Sequence, residues 1–502
     1  LDGQLYAAIA HCPVIGGRLA EATLPDDLPG VRALVRGREY VAVVAERYWL
    51  ARQALEQARI RWDEGAHATL NTAAIFKRYA QALDAGEGRQ WQSRGDPGAF
   101  LGTGGRRVAA EYRVPFLAHA TMEPINCTAR VGGGRCELHV GTQVPSFVRW
   151  IAAQTAGVPF DAVRLELAPM GGGFGRRLEF DYVREAIEIA GHVPGLPVQA
   201  IWSREEDIRR DMYRPAALAR CEAVLDEKGV PRAWGIALAG PSLAEQYTRR
   251  LHPLLETVFV LPDKTTAEGA THLPYRLPNL RVTHAEVPVP VPVGNWRSVG
   301  LSQNAFFVES FVDECARAAG TDPYEYRRTL LENAPRHRKV LDSAARRAGW
   351  GEPLSARPGL RAGRGIALVE ALGSIVCEVA EVEVDPDQRV RVTRVVAAVD
   401  CGLAVDPPNV VAQVRGAIHF GLSAALFGRI DIQEGRVLQS NFHDYRMLTL
   451  AQAPRVEVEL IESGQAPGGV GEIGVPPIAP AVANAVFAAT GKQPRALPLQ
   501  PS

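Results

Sequence analysis

The 502-residue chain has no C-x-x-C pair. Its seven cysteines, at 12, 127, 136, 221, 315, 377 and 401, form none of the short runs that hold zinc, a redox dithiol or an iron–sulfur cluster. They read as small buried hydrophobes, not as a disulfide framework. No apolar run reaches the roughly 18 to 20 residues needed to span a bilayer. Net charge is also missing, because Lys+Arg and Asp+Glu both total 56. No global field therefore favours nucleic acid or an anionic membrane, and any anion site is local. Residues Leu1 to Tyr6 lack an initiator Met and the basic start of a signal peptide, so the chain reads as processed or truncated.

What the chain does have is 47% hydrophobic residues over a length sufficient for several domains, and two glycine-dense loops. One, Pro467-Gly468-Gly469-Val470-Gly471-Glu472-Ile473-Gly474, holds a single carboxylate before Pro476-Pro477. Glycines let such a loop press against a bulky ligand while aiming one acid at it, which makes Glu472 a candidate general base. A surface turn collects the same residues. The other loop, Met170-Gly171-Gly172-Gly173-Phe174-Gly175-Arg176-Arg177, is basic. Strand-like Val163 to Ala168 precedes it and helical Asp181 to Ala190 follows, an order in which backbone N–H groups and a helix start cradle an anion. One basic and one acidic loop suggest a large anionic cofactor held between them.

The periodicity predicts an α+β unit at the start: strands Leu5 to Ile9 and Tyr40 to Ala45, a helix from Arg47 to Arg59, and a strand from Ile60 to Asp63. A helix-like segment and Gly- and Arg-rich sequence ending in Gly102-Thr103-Gly104-Gly105-Arg106-Arg107 read as a connector. Alternating strands and helices follow to about 345, with helices expected from Val144 to Ala156 and from Ser302 to Ala319. Beyond 360, strands at Ile366 to Glu370, Glu378 to Asp385 and Val390 to Val399 come with helices Pro408 to Phe427 and Ala479 to Thr490. Two nucleotide motifs fail in the triplet loop. Arg176 stands where the dinucleotide fingerprint wants its last Gly, and no Gly-Lys-Ser/Thr follows.

Several ordered motifs are similar to those of the molybdenum-binding large subunit of the xanthine dehydrogenase/aldehyde oxidase family. They are Ala118-His119-Ala120-Thr121-Met122-Glu123-Pro124-Ile125-Asn126, Gly141-Thr142-Gln143, the Gly171 to Arg177 loop, Trp202 to Asp207, Asn295-Trp296-Arg297-Ser298-Val299-Gly300, Val399-Asp400-Cys401-Gly402 with Asn409 and Gln413, and the Gly468 to Pro477 block. Within the family the chain resembles the isoquinoline 1-oxidoreductase β-subunit and membrane-associated aldehyde dehydrogenase branch. The resemblance implies a multidomain α+β fold: a hammerhead domain at 1–70, a connector at 71–105, a first molybdopterin-binding domain at 106–345 and a second, partial one at 346–502.

It also implies a molybdenum hydroxylase acting on an aldehyde or an N-heteroaromatic carbon, with water as the oxygen source. The implied cofactor is molybdopterin cytosine dinucleotide, whose pterin holds the metal without a protein ligand. Glu472 matches the family's general base. Gln143 matches an amide that bonds a molybdenum oxo group, although by residue type alone it is an ordinary turn residue. Gly172, Gly173, Phe174 and Gly175 match backbone packed against the metal centre and donating N–H groups to it. Arg297 and Gly471 match pterin-side contacts, and Gln413 a contact to the dinucleotide. Arg176 and Arg177 suit its phosphates, or else form a solvated pair at a helix start. His119 and Glu123 are expected to brace the loop below the site, and Trp296 is a candidate for the substrate funnel.

The family's Gly-Gln-Gly segment and its small-residue/Ser segment are not found. Either the chain is a fragment or a separate polypeptide supplies that half of the pterin grip. An incomplete pocket leaves pterin polar groups unpaired at about 1 to 3 kcal/mol each, so the chain alone is expected to bind cofactor poorly. The implied partners are a small 2Fe–2S subunit, which takes the electrons that no cysteine cluster here can carry, and a c-type cytochrome. The implied location is the periplasm, with the cytoplasm open. The alternative is a catalytically inactive, family-derived binding or assembly subunit.

Overall fold

The computed structural model describes residues 1–101, 105–251 and 262–500. Gly102, Thr103 and Gly104 of the expected connector lie outside them. Three larger sheets organise the chain. In the seven-stranded sheet, Leu5–His11 pairs in parallel with Val198–Ile201, bringing Leu5 opposite Val198. Its other neighbour is Tyr40–Ala45, antiparallel. The first strands therefore share one sheet, and one apolar core, with Asn126–Gly132, Arg135–Val140 and Val163–Leu167. A boundary at 70 does not separate sheets.

The connector is likewise built into the fold. Thr72–Asp84 is a helix started by the Asn71 side chain, which accepts from the Ala74 N–H at 2.8 Å, and Arg89–Arg94 pairs with Leu280–Glu286. That pairing forms the edge of a five-stranded sheet completed by Pro231–Gly240, Ala217–Leu225 and Arg106–Val114. The Leu301–Ala319 helix buries Phe306, Phe307, Phe311 and Val312 against this sheet and stops at Gly320, whose left-handed φ of 68° suits a helix end.

The third sheet orders Arg361–Ala371, Ser374–Val384, Val390–Asp400 and Arg455–Leu460. Helix Pro407–Leu426 starts with Pro407 at its first position, and the Asp406 carboxylate accepts from the Asn409 N–H. With helix Ile478–Thr490 it covers one face of the sheet, where Val376, Val399, Ile418, Leu422 and Val482 are buried together. The first two strands are joined by Leu372-Gly373, both at positive φ, the geometry of a two-residue hairpin turn. This hairpin tip and the loop entering Leu301–Ala319 are what hold the acidic glycine loop.

Candidate active site

The acidic loop is tied down along its length. At its start the Gly468 N–H donates to Cys401 O and the Gly469 N–H to Leu372 O, each at 2.8 Å, while Ser374 Oγ donates to Gly469 O at 2.8 Å. In its middle Arg297 Nε donates to Gly471 O at 2.8 Å, joined by Nη2, and Ser298 Oγ donates to Glu472 O at 3.0 Å. At its end the chain enters the buried Ile478–Thr490 helix. Gly471 itself faces open space, since a Cβ there would meet nothing within 4 Å. Glu472 is half-buried. Burial raises its carboxyl above the ordinary carboxylate range, with the Arg297 cation and the Ser298 N–H pulling it partway back. Glu268 faces the same corner, and burial, Asp263 and Glu472 raise its carboxyl as well.

The basic loop lies across from Arg297. Phe174 holds a strained φ of 53°, and the consecutive Ser298 and Val299 hold 76° and 44°, backbone that persists where the surroundings over-determine it. Gly175 is demanded by protein contact: its φ is 108°, and a Cβ would sit 1.6 Å from Asn295 O. The Gly175 N–H donates to Gln143 Oε1 at 3.1 Å. Gln143 is exposed, so its Nε2 is accessible to a ligand. Gly173 packs under the Gln143 side chain, and Gly172 presents its carbonyl to Arg177 Nε at 3.0 Å.

Arg176 and Arg177 are not a solvated pair, being 1% and 0% exposed. Arg176 forms a two-pronged pair with Asp181 at 2.9 and 2.8 Å and reaches Asp211 at 3.1 Å. Burial lowers its pKa, but these carboxylates more than offset that, so it stays charged. The guanidinium expected on phosphate thus points into the protein, and its job is to brace the loop from behind. Arg177 bonds Gly172 O, Gly141 O and Glu123. Glu123 in turn accepts from the Gly171 N–H at 2.7 Å, and His119 links Asp211 to Asn295 O. Both brace the loop, as their sequence context suggests. The Trp202 to Asp207 motif serves the same frame: Ser203 caps a short helix and Asp207 accepts from the Ile125 N–H.

Two residues escaped sequence reasoning. Phe420, in Pro407–Leu426, stacks on Phe174 with ring centres 4.5 Å apart and on Trp296 at 4.7 Å. Nothing in an apolar helical run marks such a ring. Arg214, buried and without a carboxylate beside it among the described residues, lies 5.5 Å from the Trp296 ring centre and donates to Pro115 O at 3.0 Å. Burial pushes its pKa down to about 9. Trp296 is itself 3% exposed, so it packs behind the pocket and does not line a funnel. Gln413 lies on the exposed side of its helix. Asn409, Gln413, Gly416 and Phe420, spaced four, three and four residues apart, share that face and lead from its open end to Phe174.

Glu472, Gln143, Phe174, Gly175, Arg297 and Gly471 are thus brought together, with Gln413 along the adjoining helix. The residues suit a large cofactor: open space at Gly471, an exposed amide at Gln143 and a polar helix face. The molybdopterin cofactor-binding domain family matches residues 82–246, and a second family of the same description matches 362–454. The isoquinoline 1-oxidoreductase subunit beta of Brevundimonas diminuta is 31% identical over all of this chain, which spans 65% of that relative. The membrane-bound aldehyde dehydrogenase (pyrroloquinoline-quinone) of Gluconacetobacter polyoxogenes is 28% identical over 92% of the chain, which spans 62% of it. The fold superposes on the quinoline 2-oxidoreductase of Pseudomonas putida 86 with a TM-score of 0.81 at 15% identity, covering 99% of this chain and 94% of that one. The chain therefore carries molybdopterin cofactor-binding domains and belongs to the xanthine dehydrogenase/aldehyde oxidase family.

Proposed function

We propose that this chain is the molybdenum-binding part of an oxidoreductase that oxidises an aldehyde or hydroxylates a carbon of an N-heteroaromatic ring, taking the oxygen from water. The observation that carries this reading is Glu472: one half-buried carboxylate, raised above the ordinary range, on a loop gripped by Arg297, whose guanidinium also lies 5.8 Å from the Phe174 ring centre. Aldehyde and N-heterocycle substrates are suggested by the names of its relatives.

Bound between the two loops, molybdopterin supplies the two-electron acceptor that ordinary side chains lack. The chain's own residues do the rest. Glu472 accepts the proton that the attacking water oxygen gives up, and its raised affinity for protons makes it a better base than a solvated carboxylate. Arg297 and Ser298 hold the backbone at Gly471 and Glu472, which fixes the point from which the carboxylate reaches. Gln143 Nε2 gives the cofactor a neutral donor that adds no charge. The Phe174 and Phe420 rings keep water from the inner wall. Asn409 and Gln413 offer amides to the far end of the cofactor, which we take to be the cytosine dinucleotide form.

Each turnover releases two electrons and two protons. All seven cysteines are buried and free, and among the described residues none joins a group of three or more metal-ligating side chains, so we assign electron transfer to a small 2Fe–2S subunit and onward to a c-type cytochrome, in the periplasm. The rest of the pterin grip, from another stretch of this protein or from a separate polypeptide, is part of the same reading. The test is turnover of an aldehyde and of an N-heterocycle in water labelled with heavy oxygen. The label is expected in the product. Product labelled only from dioxygen would refute the reading.

A further inference from the structure

Four side chains form one column through the site, with a fifth beside it. The Arg214 guanidinium backs Trp296 at 5.5 Å, Trp296 stacks on Phe420 at 4.7 Å with ring planes 28° apart, and Phe420 stacks on Phe174 at 4.5 Å and 29°. The Arg297 guanidinium lies alongside the stacked pair, 5.8 Å from the centres of both the Phe174 and Phe420 rings. Guanidinium groups are held close to such electron-rich rings. Phe174, Trp296 and Arg297 stand on loops that include three strained non-glycine residues, Phe174, Ser298 and Val299. Phe420 differs, because it is fixed in the 20-residue Pro407–Leu426 helix. It is the rigid post against which both loops are set.

We propose that Phe420 is a positioning residue that couples the polar helix face at Gln413 to the base at Glu472. The helix carries Asn409, Gln413 and Phe420 on one face, so whatever seats against Gln413 also sets the height of the Phe420 ring. That ring sets Phe174 and Arg297, and Arg297 holds Gly471 O and so the Glu472 carboxylate. Among the described residues, the charged groups facing Glu472 are Arg297 and Glu268. A ring lost from the column lets Arg297 drift, which removes attraction and leaves the repulsion from Glu268.

This inference rests on Glu472 being the base, and the experiment separates the two. Phe420→Leu and Phe420→Tyr are made in the cofactor-bearing enzyme with its subunits. Molybdenum content, thermal midpoint, near-ultraviolet circular dichroism and the pH dependence of kcat/KM per molybdenum are then measured. Phe420→Leu is expected to keep its thermal midpoint within a few degrees and to lose aromatic dichroism. Its kcat is expected to fall about tenfold or more, the size of two lost ring pairs, and its acid limb to move to higher pH. Phe420→Tyr is expected to restore all three. If the Leu variant does not fold, Phe420→Met carries the same expectation. Dichroism lost with kcat and acid limb unchanged overturns the proposal, and so does a variant whose only defects are a lower thermal midpoint and lower molybdenum content. If Glu472→Gln is fully active, the reading of the base fails on its own, while dichroism and molybdenum content still report on the column.

Discussion

Arg297 grips the carbonyl of Gly471, with Nε 2.8 Å from the oxygen, and so fixes the backbone of the residue that follows it, Glu472. Among the described residues, the same guanidinium is the cation that pulls the Glu472 carboxyl downward against its burial. One side chain thus sets both the place of the acid and its proton affinity.

Arg297→Met removes both effects. Without the cation, the Glu472 pKa rises further. Because a base must be deprotonated to act, the acid limb of kcat/KM moves to higher pH. At neutral pH we expect turnover to fall by about 10 to 100-fold, read from pH–rate profiles with molybdenum content matched.

Arg176→Met is expected to act on the fold. It removes the guanidinium paired with both Asp181 and Asp211, and Asp211 is 1% exposed. Removing one partner of such a buried pair costs about 3 to 5 kcal/mol. Chemical denaturation should show that loss in full with the cofactor absent. A loss seen only when the cofactor is bound would restore the phosphate-grip reading of this residue.

His11 gives a stability difference that depends on pH. Its ring sits between Glu206 at 2.6 Å and Glu185 at 3.0 Å and ties the first strand to the helices that follow the basic loop. Burial opposes its charge, but the two carboxylates prevail and raise its pKa to about 9. The folded pKa lies above the unfolded value of about 6.5, so the stabilisation is fully present below that pH and is lost as pH rises through 9. His11→Asn should therefore cost up to about 3 kcal/mol at pH 6 and far less at pH 10, measured by urea denaturation at each pH.

Much of this architecture is legible in the sequence, and its limits have physical causes. Helices Pro145–Ala156, Leu301–Ala319, Pro407–Leu426 and Ile478–Thr490 fall within a few residues of where periodicity predicts them, because each has a Pro start, a Gly end or a long apolar face. Strand Ala217–Leu225 was not foreseen. It is buried on both faces and, apart from Cys221 and Val224, built of Ala, Leu, Arg and Glu, which are good helix formers, so neither alternation nor propensity marks it. The sharing of one sheet by Leu5–His11 and Val198–Ile201 is a long-range pairing that no local pattern encodes. Within the site, the two loops and Glu472 stand out because Gly and a lone acid are conspicuous. The inward turn of Arg176 is not visible, since it depends on Asp211, which the fold brings to it from 35 residues along the chain.

The most direct measurement is kcat for Glu472→Gln in the assembled enzyme, normalised to molybdenum, at the pH optimum of the unaltered protein. Gln keeps the size of the side chain and cannot take the proton. The account predicts unchanged cofactor loading and a fall of about 10² to 10⁴ in kcat. Turnover within a few-fold of the unaltered enzyme would contradict it and remove Glu472 from the chemistry.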